Sequence, residues 1–159
     1  MPLRPALLLA ALAVAGCQTA APPAAAGGGA VSFAVAFDHT ALHVADLGRS
    51  VAFYERLFGL EEIAAPGDPT TIRWLSLGGG DQLHLINFGG GLVEPTKAVH
   101  FALRVSDLDA LVARVQAQGV PYSDWPGVAG AVSTRGDGVR QIYVQDPDGY
   151  WIEVNDVTG

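Results

Sequence analysis

Two stretches of this chain are copies of one another. HTALHVADLGRSVA at residues 39–52 and HFALRVSDLDALVA at 100–113 share His, Ala, Leu, Val, Asp, Leu, Val and Ala in the same places. A repeated unit folds the same way twice, so whatever the first copy becomes, the second must become too. Each copy opens with alternating apolar residues, which argues for a strand. Each then reaches Asp-Leu, where Asp46 or Asp107 can cap a helix by accepting the free backbone N–H groups of its first turn.

The spacing of Leu47, Val51, Tyr54 and Phe58 predicts a helix that stops at Gly59. Leu108, Leu111, Val112 and Val115 predict a second one stopping at Gly119. Strand-like runs follow in each half, IRWLSLGGGDQLHLIN and RQIYVQDPDGYWIEVND, broken by Gly-Gly-Gly-Asp and Asp-Pro-Asp-Gly turns. The expected fold class is α+β, two βαβββ modules at about 36–92 and 97–156 within a domain spanning 34–159.

This reading decides what His39 and His43 can do. Four residues apart on a helix they would be a metal pair, but they precede the cap at Asp46 and so lie on a strand. There His39, Ala41 and His43 share one face, and Leu42 and Val44 share the face suited to the helices. The same alternation puts His100, Ala102 and Arg104 on one face of their strand. It groups Gln82, His84 and Ile86, and likewise Trp151, Glu153 and Asn155. His39, His84, His100 and Glu153 therefore lie on the faces turned away from the helices, at positions related by the repeat. Imidazoles and a carboxylate suit a borderline divalent ion such as Zn, Ni, Fe(II) or Mn, and a site with three or four protein ligands keeps positions open for substrate.

The stretches DHTALHVADLGRSVAFYERLFGLEE and RQIYVQDPDGYWIEV resemble the vicinal oxygen chelate superfamily, which holds glyoxalase I, extradiol dioxygenases, and fosfomycin- and bleomycin-resistance proteins. The resemblance covers roughly residues 36–156. It implies a cup-shaped mixed sheet around one divalent metal ion, with His39, His100 and Glu153 as ligands. His84 falls where glyoxalase I has a carboxylate ligand, so it stands as ligand or as base, and Glu153 is a second candidate for moving a proton. Where glyoxalase I carries an arginine that helps hold glutathione, this chain has His43, which turns expectation away from glutathione.

Substrate contacts are expected from His43, Arg104 and Trp151. Tyr143 lines the cavity or belongs to the core. Arg135 and Arg140 flank GDGV, a lid loop or a solvated one. The expected activity is a glyoxalase-like lyase or isomerase acting on a small oxygen-rich molecule. The alternatives are an Fe(II) dioxygenase and a metal-free protein that sequesters an antibiotic. The modules pair within one chain or across a homodimer.

The N-terminus points to a location. MPLRPALLLAALAVAGCQTA has one early basic residue, an apolar run too short to span a bilayer, and then small residues. Val14-Ala15-Gly16-Cys17 resembles the bacterial lipobox. It implies a signal peptide over 1–16, lipidation at Cys17 and a membrane-tethered protein of the cell envelope that faces the periplasm; the alternative is cleavage among the alanines and a soluble periplasmic protein. Residues 17–33 read as an Ala/Pro/Gly tether. Cys17 is the one cysteine of the chain, so no thiol is left for catalysis or a disulfide. The net charge of −7 excludes a phosphate-neutralising surface, so no nucleic-acid partner is expected.

Overall fold

The computed structural model describes residues 34–91 and 93–158. The signal at 1–16, the tether at 17–33 and Cys17 lie outside the described residues. Both caps form as their sequence requires. The Asp46 carboxylate accepts from the Arg49 amide at 2.9 Å and starts α1, Leu47–Phe58. The Asp107 carboxylate accepts from the Ala110 amide at 2.9 Å and starts α2, Leu108–Ala117. Helix α1 ends at Gly59 in the left-handed region, φ 71°, which a side chain would strain. Helix α2 ends two residues before Gly119, with Gln118 still right-handed, so the glycine follows the cap rather than forming it.

Each module makes one sheet. The first runs β1 (His39–His43), β4 (Asp81–Ile86), β3 (Ile72–Gly78), β2 (Glu62–Ile63) in spatial order. The second runs β5 (His100–Arg104), β9 (Trp151–Asn155), β8 (Arg140–Gln145), β6 (Tyr122–Ser123). The first and last strands pair in parallel in both modules, because the helix crossover returns the chain in the same direction. The second module departs from βαβββ by one short strand, β7 (Ser133–Thr134), which folds back on β8 through a turn at Arg135–Val139.

The faces alternate as expected. Leu42, Val44, Leu75, Leu83 and Leu85 of the first sheet, and Ile142, Val144, Ile152 and Val154 of the second, are buried against Leu47, Val51, Tyr54 and Leu57 of α1 and Leu108, Leu111 and Val115 of α2. Each such side chain contributes roughly 1.5–3 kcal/mol on burial. Apolar faces go to the helices, and the histidine faces are left on the other side.

The two modules are joined by the Asp-Pro-Asp-Gly turn. Asp148, its side chain 1% exposed, accepts from the Ala45 amide at 3.1 Å, the Ser50 hydroxyl at 3.0 Å and the Arg49 guanidinium at 2.6 Å. Asp146 accepts from the buried Tyr54 hydroxyl at 2.9 Å and from the amides of Asp148 and Tyr150. Burial pushes the Asp146 carboxyl above its ordinary pKa, while these bonds pull it back only in part. The turn of one module thus satisfies the N-terminus of the other module's helix. Asp148→Ala is expected to lower the unfolding free energy by about 2–4 kcal/mol, since three donors lose one charged acceptor. Asp81→Ala in the matching turn of the first module should cost no more than about 0.5 kcal/mol. Urea denaturation of the two variants measures the difference.

Candidate metal-binding site

The parallel registers place donors identically in the two modules. His39 lies opposite Gln82, with His84 two residues further along β4. His100 lies opposite Trp151, with Glu153 two residues further along β9. On the next strand of each sheet an aromatic residue faces the second donor, Trp74 against His84 and Tyr143 against Glu153. The repeat therefore builds the same three-residue unit twice, with different chemistry in each.

In the first module the unit is a stack of rings. Trp74 lies 4.0 Å from His84 at an interplanar angle of 2°, and His39 lies 4.1 Å from His84 at 13°. His84 is 8% exposed, and its Nε2 meets Oε1 of Gln82 at 2.8 Å. An amide oxygen only accepts, so Nε2 carries the proton and Nδ1 is the free acceptor. Burial, and then the neighbouring His39, hold the His84 imidazole below its ordinary pKa, so it stays neutral. His39 is turned the other way: its Nδ1 sits 2.6 Å from the Asp38 carboxylate, which leaves Nε2 outward. Stacked rings direct their lone pairs side by side, not at a common point.

In the second module the unit centres on a carboxylate. Glu153, 6% exposed, accepts from the Tyr143 hydroxyl at 2.7 Å on Oε2, and from Asn155 at 2.8 Å and Arg135 at 3.4 Å on Oε1. Burial alone would raise its pKa. The bonds from Tyr143 and Asn155 and the charges of His100 and Arg135 outweigh burial and bring it below the usual value. Tyr143 is pushed the other way, well up from 10, by burial and by its bond to Glu153, so its proton stays on. His100 Nδ1 lies 2.8 Å from the Lys97 carbonyl, and Nε2 lies 3.3 Å from Oε2 of Glu153.

That last pair tests whether a metal suits these residues. With Nδ1–H given to the carbonyl, Nε2 either carries a proton and donates it to Oε2 as an ion pair, or lacks it and turns a lone pair toward the carboxylate. A proton or a metal ion has to lie between them. Two ligands on a tetrahedral zinc, at bond lengths of roughly 2.0–2.2 Å, stand about 3.3–3.6 Å apart. An imidazole anchored by a carbonyl or carboxylate on its other nitrogen is the usual form of a metal-binding histidine, and His39 and His100 both have it. The His100–Glu153 pair fits two of the ligands of a divalent ion.

The structure brings the four expected ligands together as two pairs, His39 with His84 and His100 with Glu153. Among the described residues, no group of three or more His, Cys, Asp or Glu is placed to hold a metal ion. The expected substrate contacts are scattered. Trp151 lines a cleft of about 260 Å³ beside Tyr143, Gln145 and Tyr122. His43 lines a separate recess with Ile86 and Phe88, while its carbonyl accepts from Tyr150. Arg104 is exposed and lines clefts with Leu77, Leu103 and Phe101 that include neither His100 nor Glu153. Arg135, on the turn between β7 and β8, reaches Glu153 while Asp137 holds it by two bonds. Lys97, Trp125 and Trp74 are the contributors that sequence reasoning missed. Strand alternation could have given Trp74, which faces His84; Lys97 and Trp125 stand on loops with no periodicity to flag them.

Residues 36–154 match the family model described as the glyoxalase/bleomycin resistance protein/dioxygenase superfamily, and the chain belongs to that superfamily. It is 32% identical to a lactoylglutathione lyase of Haemophilus influenzae over 72% of this chain and 87% of that protein. Among solved structures it is similar to the oxidase ChaP-H2, with a TM-score of 0.66 and 25% identity over 79% of this chain and 96% of that one. It is also similar to a genomically encoded fosfomycin resistance protein from Listeria monocytogenes, with a TM-score of 0.62 and 26% identity over 79% and 96% of the two chains.

The two aromatic partners make the halves separable by mutation. Tyr143→Phe removes the one hydroxyl on Oε2 of a buried carboxylate and is expected to cost about 1.5–3 kcal/mol. Trp74→Phe keeps a stacking ring and should cost less than about 1.5 kcal/mol. Chemical denaturation of both variants measures this order, and the reverse order would contradict the account of Glu153.

Proposed function

We propose that this protein is a metal-dependent enzyme, a glyoxalase-like lyase or isomerase acting on a small oxygen-rich substrate. The observation that carries the reading is the His100–Glu153 pair, an imidazole nitrogen and a carboxylate oxygen 3.3 Å apart with the imidazole fixed from behind. One divalent ion, Zn, Ni, Fe or Mn, would be held by His39, His100 and Glu153. When bound, it would chelate two neighbouring substrate oxygens and stabilise negative charge developing on them.

The chain's own residues divide the remaining work. Glu153, engaged by Tyr143, Asn155 and Arg135, is fixed as a ligand and is poorly free to accept a proton. His84 has its Nε2–H committed to Gln82, and its Nδ1 is the available acceptor for a proton on the carbon next to a carbonyl. The stack with Trp74 holds that ring in place. His43 stands where a glutathione-binding arginine would, which argues for a substrate other than a glutathione adduct.

The reading also requires a second copy of the chain, because the two pairs of donors do not meet within one. Exposed Phe37, Phe88 and Val99 give apolar surface for such an association. The same three donors would suit Fe(II) and oxygenation, a second reading favoured by the stacking that keeps His84 from converging with them. Lipidation at Cys17 would tether the enzyme in the cell envelope.

His100→Ala is expected to abolish metal binding and leave a folded domain; full metal occupancy in that variant would overturn the site. A doubly substituted His39→Ala/His84→Ala chain, coexpressed with His100→Ala, should regain about a quarter of the wild-type metal if donors come from two copies, since half of the dimers are mixed and each mixed dimer has one intact site. Elemental analysis of the purified proteins reads both results. It also names the metal, with Fe supporting oxygenation and Ni or Zn isomerisation. Separately, Cys17→Ser should move the protein from the membrane to the soluble fraction on cell fractionation.

A further inference from the structure

Lys97 lies in the connection between the modules, one turn ahead of β5. Its ammonium has three N–H donors. They meet the Ser123 hydroxyl at 2.9 Å, the Asp124 carbonyl at 2.7 Å and the Trp125 carbonyl at 3.4 Å. The same nitrogen lies 5.0 Å from the centre of the Tyr143 ring and 4.6 Å from that of Trp151. Among the described residues it forms no ion pair with a carboxylate. Carbonyl dipoles and ring faces balance its charge.

All three donors are occupied, so this lysine has none to offer a substrate. What it holds is the turn that carries Trp125. Within that turn Asp124 caps the amides of Gly127 and Val128, and the other hydrogen bonds of residues 124–128 stay inside 122–131. Lys97 supplies the bonds that tie 124–128 to the rest of the described structure. Held this way, the Trp125 ring lies 6.0 Å from His100 and 5.5 Å from Tyr143, with 48% of the residue still exposed. The backbone carbonyl of the same lysine fixes Nδ1 of His100.

We propose that Lys97 is a positioning residue for His100: its caged ammonium holds the Trp125 turn in place as the outer wall of the His100–Glu153 pair. Its effect on metal binding rests on the function proposed above; the cage and the turn do not.

The test is Lys97→Ala in the full chain, with Lys97→Met as a second variant that keeps most of the stem and drops the charge. Hydrogen exchange at the Gly127 and Val128 amides reads the turn, and calorimetric titration with Zn reads the donors. Both variants should remain folded by circular dichroism, exchange at least about tenfold faster at these amides, and bind Zn about 10–100-fold more weakly. Millimolar n-propylammonium should restore both properties to Lys97→Ala, and n-propanol should restore neither. Unchanged exchange, or equal rescue by the alcohol, would overturn the cage. Faster exchange with unaltered Zn affinity would overturn the positioning role. If the wild-type chain binds no Zn, Ni, Mn or Fe(II), the functional reading fails, while exchange and its rescue by the amine still decide what Lys97 holds.

Discussion

Everything in the candidate site follows from the parallel pairing of first and last strands in each module. That pairing sets Gln82 beside His39 and Trp151 beside His100, and so puts the second donor of each half one pleat away from the first. A slip of one residue would turn His84 and Glu153 into the helix-packed layer and bring Leu83 and Ile152 out to the open face. The fully buried leucines and valines on the opposite face prevent it. The hydrophobic effect thereby fixes the register, and the register fixes the chemistry.

The same scaffold position then serves two different groups. An imidazole opposite an aromatic ring is satisfied by stacking, and Trp74 supplies a flat face. A buried carboxylate needs donors, and Tyr143, Asn155 and Arg135 supply them. Neutral His84 and ionised Glu153 are two outcomes of one geometry with different neighbours. This divergence within a repeat leaves a neutral ring stack in one half and an ionised, hydrogen-bonded carboxylate in the other.

The modules are not interchangeable in stability either. The Asp-Pro-Asp-Gly turn reaches across to cap and clamp α1, with both carboxylates and Tyr54 buried in the contact. The Gly-Gly-Gly-Asp turn of the first module is a glycine hairpin with a register shift between Ser76 and Gly78. One turn joins the halves, and the other only reverses the chain.

Sequence by itself determined the repeat, both helices with their aspartate caps, and the strand faces that carry His39, His84, His100 and Glu153. These are local or periodic properties, and alternation or capping chemistry transmits them directly. It did not determine that the two pairs lie apart within one chain, that Arg104 and His43 face other recesses, or that Lys97 and Trp125 crowd around His100. Those depend on how two sheets are set against each other and on where loops land. Contacts between residues far apart in the chain, with no period to mark them, are decided only when the whole core is packed.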